Sequence, residues 1–180
     1  LRLGEQALVL ITLDLLGVRR DIALRVRAGI AAAVGVPESA VMISCPHTHS
    51  GPYGLVPEEP GVRQTGGPGL ADMLVDKLVG AATWAQQRLL PARLSAGRGR
   101  IEGIGANRND PQQGLTDPEL ILLRWDDEGG RPLAVWLNYG CHATVMGEQN
   151  LWISADFPGA ARSALSRVYP ETVFLYANGA

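Results

Sequence analysis

The chain has 180 residues, a mass of 19.2 kDa and a hydrophobic fraction of 46%, so it is long enough to form one domain with a sizeable core. Its net charge is -2, its isoelectric point is near 5.9, and its 16 lysines and arginines are dispersed, which argues against nucleic-acid binding. The longest apolar runs are far shorter than the roughly 18 residues that a membrane-spanning helix requires. We therefore expect a soluble globular protein without a transmembrane segment.

The N-terminal quarter of the chain predicts a strand, a helix and a second strand. Residues 7–15 form an uninterrupted aliphatic run, which is typical of a strand buried on both faces. Residues 19–34 have an apolar stripe at helical spacing, and Gly35 follows as a helix stop. The stripe residues are Ile22, Val26, Ile30 and Ala33. Because Val41–Ser44 indicates another strand, the β-α-β order predicts a parallel pair with a right-handed crossover.

The middle of the chain predicts a long loop and a second helix. Residues 51–68 are rich in glycine and proline and begin directly after two histidines, which is typical of a loop that acts as a functional lid. Residues 69–89 predict a helix with a core-facing apolar stripe. That stripe consists of Leu70, Met73, Leu74, Leu78, Ala81 and Ala85.

The second half of the chain predicts a hairpin and a covering helix. Strands at residues 119–125 and 132–139 flank the turn sequence Asp126-Asp-Glu-Gly-Gly130, which is a strong hairpin signal. The other predicted elements are a strand at 93–98, a helix at 157–168 with Ala161, Ala164, Leu165 and Val168 inward, and a strand at 172–176. All the elements together predict an α/β fold, with a layered mixed β-sheet, covering helices, a β-α-β start and a hairpin in the second half.

All three histidines of the chain lie in two short motifs, Cys45-Pro-His-Thr-His-Ser-Gly-Pro52 and Asn138-Tyr-Gly-Cys-His-Ala-Thr-Val-Met146. Each motif follows a predicted strand, so the imidazoles of His47, His49 and His142 are expected where strands end and loops begin. In extended backbone, a His-x-His pair points both rings to one face. Neutral imidazole is the commonest zinc ligand, and a catalytic site takes three protein ligands. The clustering indicates a metal site; the alternative is that the histidines cap strand ends or satisfy buried hydrogen bonds.

Several colinear segments resemble those of the neutral/alkaline ceramidase family. The segment His47-Thr-His-Ser-Gly-Pro52 resembles the His-Thr-His-Ser-Gly-Pro motif of that family. The other similar segments are Asn107-Arg-Asn109, Asp117-Pro-Glu119, Asn138 to Met146, Ile153-Ser-Ala-Asp156 with Gly159-Ala160, and Tyr176-Ala-Asn-Gly-Ala180. The chain starts at Leu1 without methionine and has no internal linker, so we expect residues 1–180 to be a single, truncated, ceramidase-like N-terminal part of a catalytic domain.

The resemblance implies roles for four residues. His47 and His142 would bind zinc, His49 would lie beside the metal as a hydrogen-bonding or oxyanion-supporting group, and Arg108 would bind the polar part of the substrate. In the family, a carboxylate and a tyrosine complete the zinc shell and a serine takes part in catalysis, and all three are expected beyond Ala180. We therefore expect this stretch alone to be a poor catalyst. For Arg108 the alternative is a solvated loop arginine.

The implied activity is zinc-dependent hydrolysis of the amide bond of ceramide, or of a related N-acyl lipid, to a fatty acid and an amine. The expected partner is thus a small lipid, and the resemblance suggests a secreted or cell-surface protein. Departures from the family pattern at Cys45-Pro46, Tyr53, Cys141 and Phe157-Pro158 surround the expected pocket, which favours a shifted substrate preference. The alternatives are an amidase for a non-sphingolipid substrate and a non-catalytic metal-binding or structural domain.

Four further residues have two interpretations each. Asp156 is either a carboxylate that orients a ligand histidine or the N-terminal cap of a helix. Asp14, at the end of a predicted strand, has either a functional role at the site or a structural role, and the structural role is favoured. Cys45 and Cys141 are candidates for a closed structural zinc site with the histidines, although the spacing lacks the usual Cys-x2-Cys knuckle.

Overall fold

The computed structural model describes residues 1–52, 55 and 69–179, and within these ranges it contains eight strands and three helices. The strands are β1 (Arg2–Leu3), β2 (Gln6–Ala7), β3 (Val9–Thr12), β4 (Val41–Ser44), β5 (Arg93–Arg100), β6 (Glu119–Asp126), β7 (Pro132–Tyr139) and β8 (Val173–Asn178). The helices are α1 (Arg20–Val34), α2 (Leu70–Gln87) and α3 (Asp156–Val168). The predicted α/β class and the order of its elements are confirmed.

The β-α-β unit at the N-terminus forms as predicted. Strands β3 and β4 pair in parallel, and α1 connects them. Gly35 ends α1 in the left-handed region, with φ of 68°, where glycine has no steric penalty. One face of α1 is fully buried at Ile22, Val26 and Ile30, and each such side chain contributes about 1.5–3 kcal/mol through the hydrophobic effect. This burial fixes the position of the loops that leave β3 and β4.

Helix α2 packs against α1 at a very close approach. A Cβ atom added to Gly29 of α1 would lie 2.8 Å from Cγ2 of Val79, so any larger residue would force the valine side chain or a helix to move. The apolar residues of α2 that contact the core are Leu70, Ala71, Leu74, Val75, Leu78, Val79 and Ala82. The two helices therefore form one layer over the β3–β4 pair.

The second half of the chain forms a four-stranded sheet in the order β5-β6-β7-β8. Strands β5, β6 and β7 are antiparallel, the predicted β6–β7 hairpin is present, and β8 pairs with β7 in parallel. The core of this sheet comprises Trp125, Trp136 and Ala177, and Leu10 of β3 packs against it. Because Tyr139 is in register with Asn178, β7 and β8 end together, and the second histidine motif leaves the sheet at that edge.

Several details of the predicted pattern are wrong. The strand expected at residues 7–15 is divided between β2 and β3, and β3 is only half-buried. The helix stripes are shifted, and residues predicted to be inward but found exposed are Ala33, Met73, Ala81, Ala85, Ala164 and Val168. Alanine is small enough to occupy either face, and the exposure of Met73 and Val168 follows from the tertiary packing of α2 and α3. Most of the loop predicted at residues 51–68 lies outside the described residues. None of the described helices is long and apolar enough to cross a membrane.

Candidate metal centre

The first histidine of the cluster, His47, is fixed by a backbone carbonyl. Its Nδ1 lies 2.7 Å from the carbonyl oxygen of Leu16, in the segment that follows β3. Since a carbonyl only accepts, Nδ1 carries the hydrogen, and in the neutral ring Nε2 keeps its lone pair. Ligand histidines in metal sites commonly make this second hydrogen bond. The carbonyl of Leu16 thus holds the His47 imidazole in a tautomer whose Nε2 is available to a metal.

His47 adopts a backbone conformation that the sequence did not predict. Its φ is 69°, in the left-handed region, whereas we expected extended backbone through the His-x-His pair. The rings of His47 and His49 nevertheless converge, with centroids 5.1 Å apart. Their proximity therefore results from a turn after β4 rather than from strand alternation.

His142 completes a compact group of three imidazoles, which we call the histidine cluster (His47, His49 and His142). The ring centroid of His142 lies 4.7 Å from that of His47 and 5.3 Å from that of His49. The Nε2 atoms of His49 and His142 are 3.3 Å apart. One potential ligand nitrogen from each of the three rings lies within 4.8 Å of the others. Residues separated by 93 positions in the chain thus meet at one point.

Hydrogen bonds between backbone segments hold the two histidine loops together. The side chain of Thr48, between the two histidines, is fully buried, and its hydroxyl donates to the carbonyl of Ser154 at 2.9 Å. The same hydroxyl accepts the N–H of Ser50 at 3.2 Å, and the N–H of Ser154 donates to the Ser50 carbonyl at 2.9 Å. The N–H of His49 donates to the carbonyl of Ala143. These contacts set the distance between the two motifs.

The two aspartates with ambiguous roles are both engaged in structural contacts. Asp14 forms an ion pair with Arg162 of α3 at 2.6 Å, which connects the end of β3 to that helix. Asp156 is 6% exposed, and its carboxylate accepts the N–H groups of Val145 and Met146. Asp156 therefore contacts the loop that carries His142.

Electrostatics favour the neutral form of two rings of the histidine cluster, those of His49 and His142. Burial, followed by the charges of His47 and Arg108, lowers the pKa of both His49 and His142. Neutral imidazole is the form that binds metals, since protonation removes the lone pair. The cluster is thus suited to bind a cation near neutral pH.

The donor set of the cluster suits zinc. Imidazole nitrogen is a ligand that zinc accepts in catalytic sites, and each ring of the cluster offers one such atom. Within the described part of the chain, the candidate metal group comprises only histidines, so Cys45 and Cys141 are not part of it. Burial raises the pKa of the Cys45 thiol to about 11, which further disfavours a thiolate ligand. The geometry thus fits a histidine site better than a closed cysteine site.

An open cleft of about 1150 Å³ reaches one member of the histidine cluster, His142. Its walls include His142, Cys141, Tyr139 and Arg108. Arg108 is exposed, and its positive charge lowers the pKa of His49 and His142. The structure thus places Arg108 on the same cleft as His142. A smaller, mainly apolar cavity of about 380 Å³ between α2 and the sheet includes none of the three histidines in its lining.

Two contributors to this site, Thr48 and the carbonyl of Leu16, have little or no signal in the sequence. Thr48 is fully buried, and the only signal for it was its place between two histidines. The carbonyl of Leu16 orients His47, and a backbone group leaves no signal in the sequence.

An exposed apolar run precedes Ser154 in the chain and was not predicted. Its residues Leu151, Trp152 and Ile153 are 94%, 82% and 78% exposed. An exposed apolar run of this kind marks an interaction surface more often than a scattered exposed residue does.

Comparisons with known proteins identify the family of this chain. The family model described as "Neutral/alkaline non-lysosomal ceramidase, N-terminal" matches residues 2–172. Neutral ceramidase 1 of Arabidopsis thaliana is 28% identical over 184 residues, covering 91% of this chain and 23% of its own length. The neutral ceramidase of Pseudomonas aeruginosa is 30% identical over 171 residues, covering 86% of this chain and 25% of its own length.

The fold agrees with the same family. The crystal structure of neutral ceramidase from Pseudomonas aeruginosa matches with a TM-score of 0.78 and 26% identity, covering 93% of this chain and 29% of that chain. The chain spans about a quarter of the length of these two curated relatives. Together with the His-Thr-His-Ser-Gly-Pro motif, these matches establish that the chain belongs to the neutral/alkaline non-lysosomal ceramidase family and corresponds to its N-terminal part.

Proposed function

We propose that the protein is a zinc-dependent hydrolase that cleaves the amide bond of ceramide (N-acylsphingosine) or a related N-acyl lipid, giving a fatty acid and an amine. The observation that carries this proposal is the convergence of ring nitrogens of His47, His49 and His142 within 4.8 Å, with His142 also lining an open cleft. Membership in the ceramidase family supports the choice of substrate. The exposed apolar run 151–153 beside the site suits a lipid better than a polar substrate.

In this proposal His47 and His142 hold the metal through ring nitrogens. The Nδ1–H of His47 donates to the Leu16 carbonyl, so Nε2 is the atom that would hold the metal. A bound zinc ion supplies a Lewis acid for the acyl carbonyl and lowers the pKa of a nucleophilic water toward about 7. The two imidazoles provide only part of the ligand shell, and an anionic ligand from elsewhere in the protein is expected to complete it.

His49 and Arg108 act on the substrate in this proposal. His49 is the most exposed of the three histidines, and an N–H of its neutral ring can donate to the acyl oxygen as negative charge develops there. One such donor is worth on the order of 3 kcal/mol in related hydrolytic sites. Arg108, at the cleft wall, binds the polar part of the lipid.

Metal analysis combined with N-acylsphingosine hydrolysis tests these assignments in the full-length protein. We expect about one zinc per chain, and we expect His47→Ala and His142→Ala to lose both the metal and the activity. His49→Ala should keep the zinc and lose activity, since it is a neighbour rather than a ligand. Full zinc occupancy in both ligand variants contradicts the assignment, and zinc binding without hydrolysis by the wild type supports a non-catalytic domain instead.

Arg108 has a matched control in the same cleft. Arg100 is also exposed and lines the cleft, but it pairs with Glu102 at 2.9 Å. Arg108→Ala is expected to lower kcat/KM for ceramide, whereas Arg100→Ala should leave it unchanged. Equal effects of the two substitutions would show that Arg108 contributes only general positive charge.

A further inference from the structure

A single buried residue, Asp156, is hydrogen-bonded towards both loops that form the histidine cluster. Asp156, the first residue of α3, accepts the N–H of Val145 with Oδ1 at 3.2 Å and the N–H of Met146 with Oδ2 at 2.9 Å. Both donors lie shortly after His142 in the same loop. A carboxylate that accepts two adjacent backbone N–H groups forms charge-assisted hydrogen bonds, so it restrains that loop strongly.

The same residue also connects to the other histidine loop. The backbone N–H of Asp156 donates to the hydroxyl of Ser154 at 3.0 Å. The carbonyl of Ser154 in turn accepts the hydroxyl of Thr48, which lies between His47 and His49. Asp156 therefore lies at the junction of two chains of hydrogen bonds, one leading to each histidine motif.

A helix cap alone does not account for this arrangement. A capping side chain accepts an N–H two or three residues further along the helix, but Asp156 accepts the N–H of the next residue, Phe157, and two N–H groups outside the helix. Its φ is 55°, a sparsely populated conformation for a residue other than glycine. Such a conformation persists only where its surroundings impose it. The carboxylate is thus held in place for contacts with the His142 loop.

We propose that Asp156 is a positioning residue for the metal centre, which sets the distance between His142 and His47 without contacting either ring. This inference rests on the proposed zinc function. An asparagine at this position has one acceptor oxygen instead of two, so at least one of the N–H groups of Val145 and Met146 loses its acceptor and the restraint on the His142 loop weakens. The ligand nitrogen of His142 then no longer stays in place, so zinc binds less tightly.

The test compares Asp156→Asn with Asp127→Asn in the full-length protein. Asp127 is a matched control, because its carboxylate also accepts a backbone N–H, that of Arg131 at 2.8 Å, but in the turn at the opposite end of β7. Zinc affinity is measured by titration of the metal-free protein, and the visible spectrum of the cobalt-substituted protein reports ligand number and geometry. Circular dichroism confirms that each variant is folded.

We expect Asp156→Asn to weaken zinc binding roughly 10- to 100-fold, the usual effect of losing an outer-shell partner, and to change the cobalt spectrum. Asp127→Asn should match the wild type in both measurements. If Asp156→Asn does not fold, Asp156→Glu keeps the charge but displaces the carboxylate by one methylene, and it should also weaken binding. If the folded Asp156 variants have the zinc affinity and the cobalt spectrum of the wild type, the positioning role of Asp156 is wrong, while the proposed function still stands. If the wild type itself does not bind zinc, the proposed function is wrong.

Discussion

Replacing Thr48 by valine is expected to destabilise the protein and to disturb the histidine cluster. The side chain of Thr48 is fully buried, and valine has nearly the same shape, so the change removes hydrogen bonds without leaving a cavity. Two backbone groups lose their partner, the carbonyl of Ser154 and the N–H of Ser50. An unsatisfied buried polar group costs about 1–3 kcal/mol. Because both groups lie in a partly buried region, we expect a loss of about 2 kcal/mol in the free energy of unfolding.

Urea denaturation measures this loss, and Thr83→Val is the matched control. The hydroxyl of Thr83 in α2 donates to the Val79 carbonyl, which also accepts a bond of the helix backbone, so valine leaves no backbone group without a partner. We expect Thr83→Val to change stability by less than about 0.5 kcal/mol. Equal denaturation midpoints for the Thr48 and Thr83 variants, with unchanged zinc affinity, would refute the reasoning that Thr48 holds the two loops together.

Three other predictions concern protonation, thiol reactivity and helix packing. Because burial lowers the pKa of His49 and His142 below 6.5, the unfolded chain binds protons first, so the stability of the metal-free protein should fall as pH drops through about 6.5. A urea midpoint that stays constant from pH 7.5 to 5.5 contradicts this. Burial raises the pKa of Cys45 to about 11, so iodoacetamide at pH 8 should label this thiol much more slowly in the folded than in the denatured protein. Equal labelling rates in the two states would contradict the burial of Cys45. Gly80 in α2 has open space around it, so Gly80→Ala should raise the free energy of unfolding by about 1 kcal/mol. Gly29→Ala should give no such gain, because the new Cβ atom would lie 2.8 Å from a methyl group of Val79. Equal rises in melting temperature for the two variants would contradict the close packing of α1 and α2.

The order of the secondary structure elements followed from the sequence because each long element has a strong local signal. The stripe of Ile22, Val26 and Ile30 predicted α1, and the acidic and glycine-containing turn predicted the β6–β7 hairpin. The buried face of α2 was less well predicted, since a helix rich in alanine has apolar residues on more than one face. Met73 and Ala81 were assigned to the core and are exposed. Tertiary packing, not periodicity, selected the face.

The residues of the candidate site were predictable from the sequence, but the contacts that hold them in place were not. The motifs predicted which histidines meet, because both motifs follow strands that end at the same side of the fold. They did not predict how these histidines are held. The left-handed backbone of His47 and the carbonyl of Leu16 are properties of the main chain, which have no residue signature. The role of Asp156 was ambiguous in the sequence because its hydrogen-bond donors are backbone N–H groups of a loop ten or more positions away.

A crystal structure of the full-length protein, with diffraction data collected on both sides of the zinc absorption edge, tests the central proposal most directly. The anomalous difference map should show one zinc peak at the histidine cluster, within about 2.0–2.1 Å of a ring nitrogen of His47 and of His142. His49 should lie beside the metal without binding it. A zinc peak bound to Cys45 or Cys141, or no peak at the cluster in zinc-loaded and hydrolytically active protein, would contradict the account.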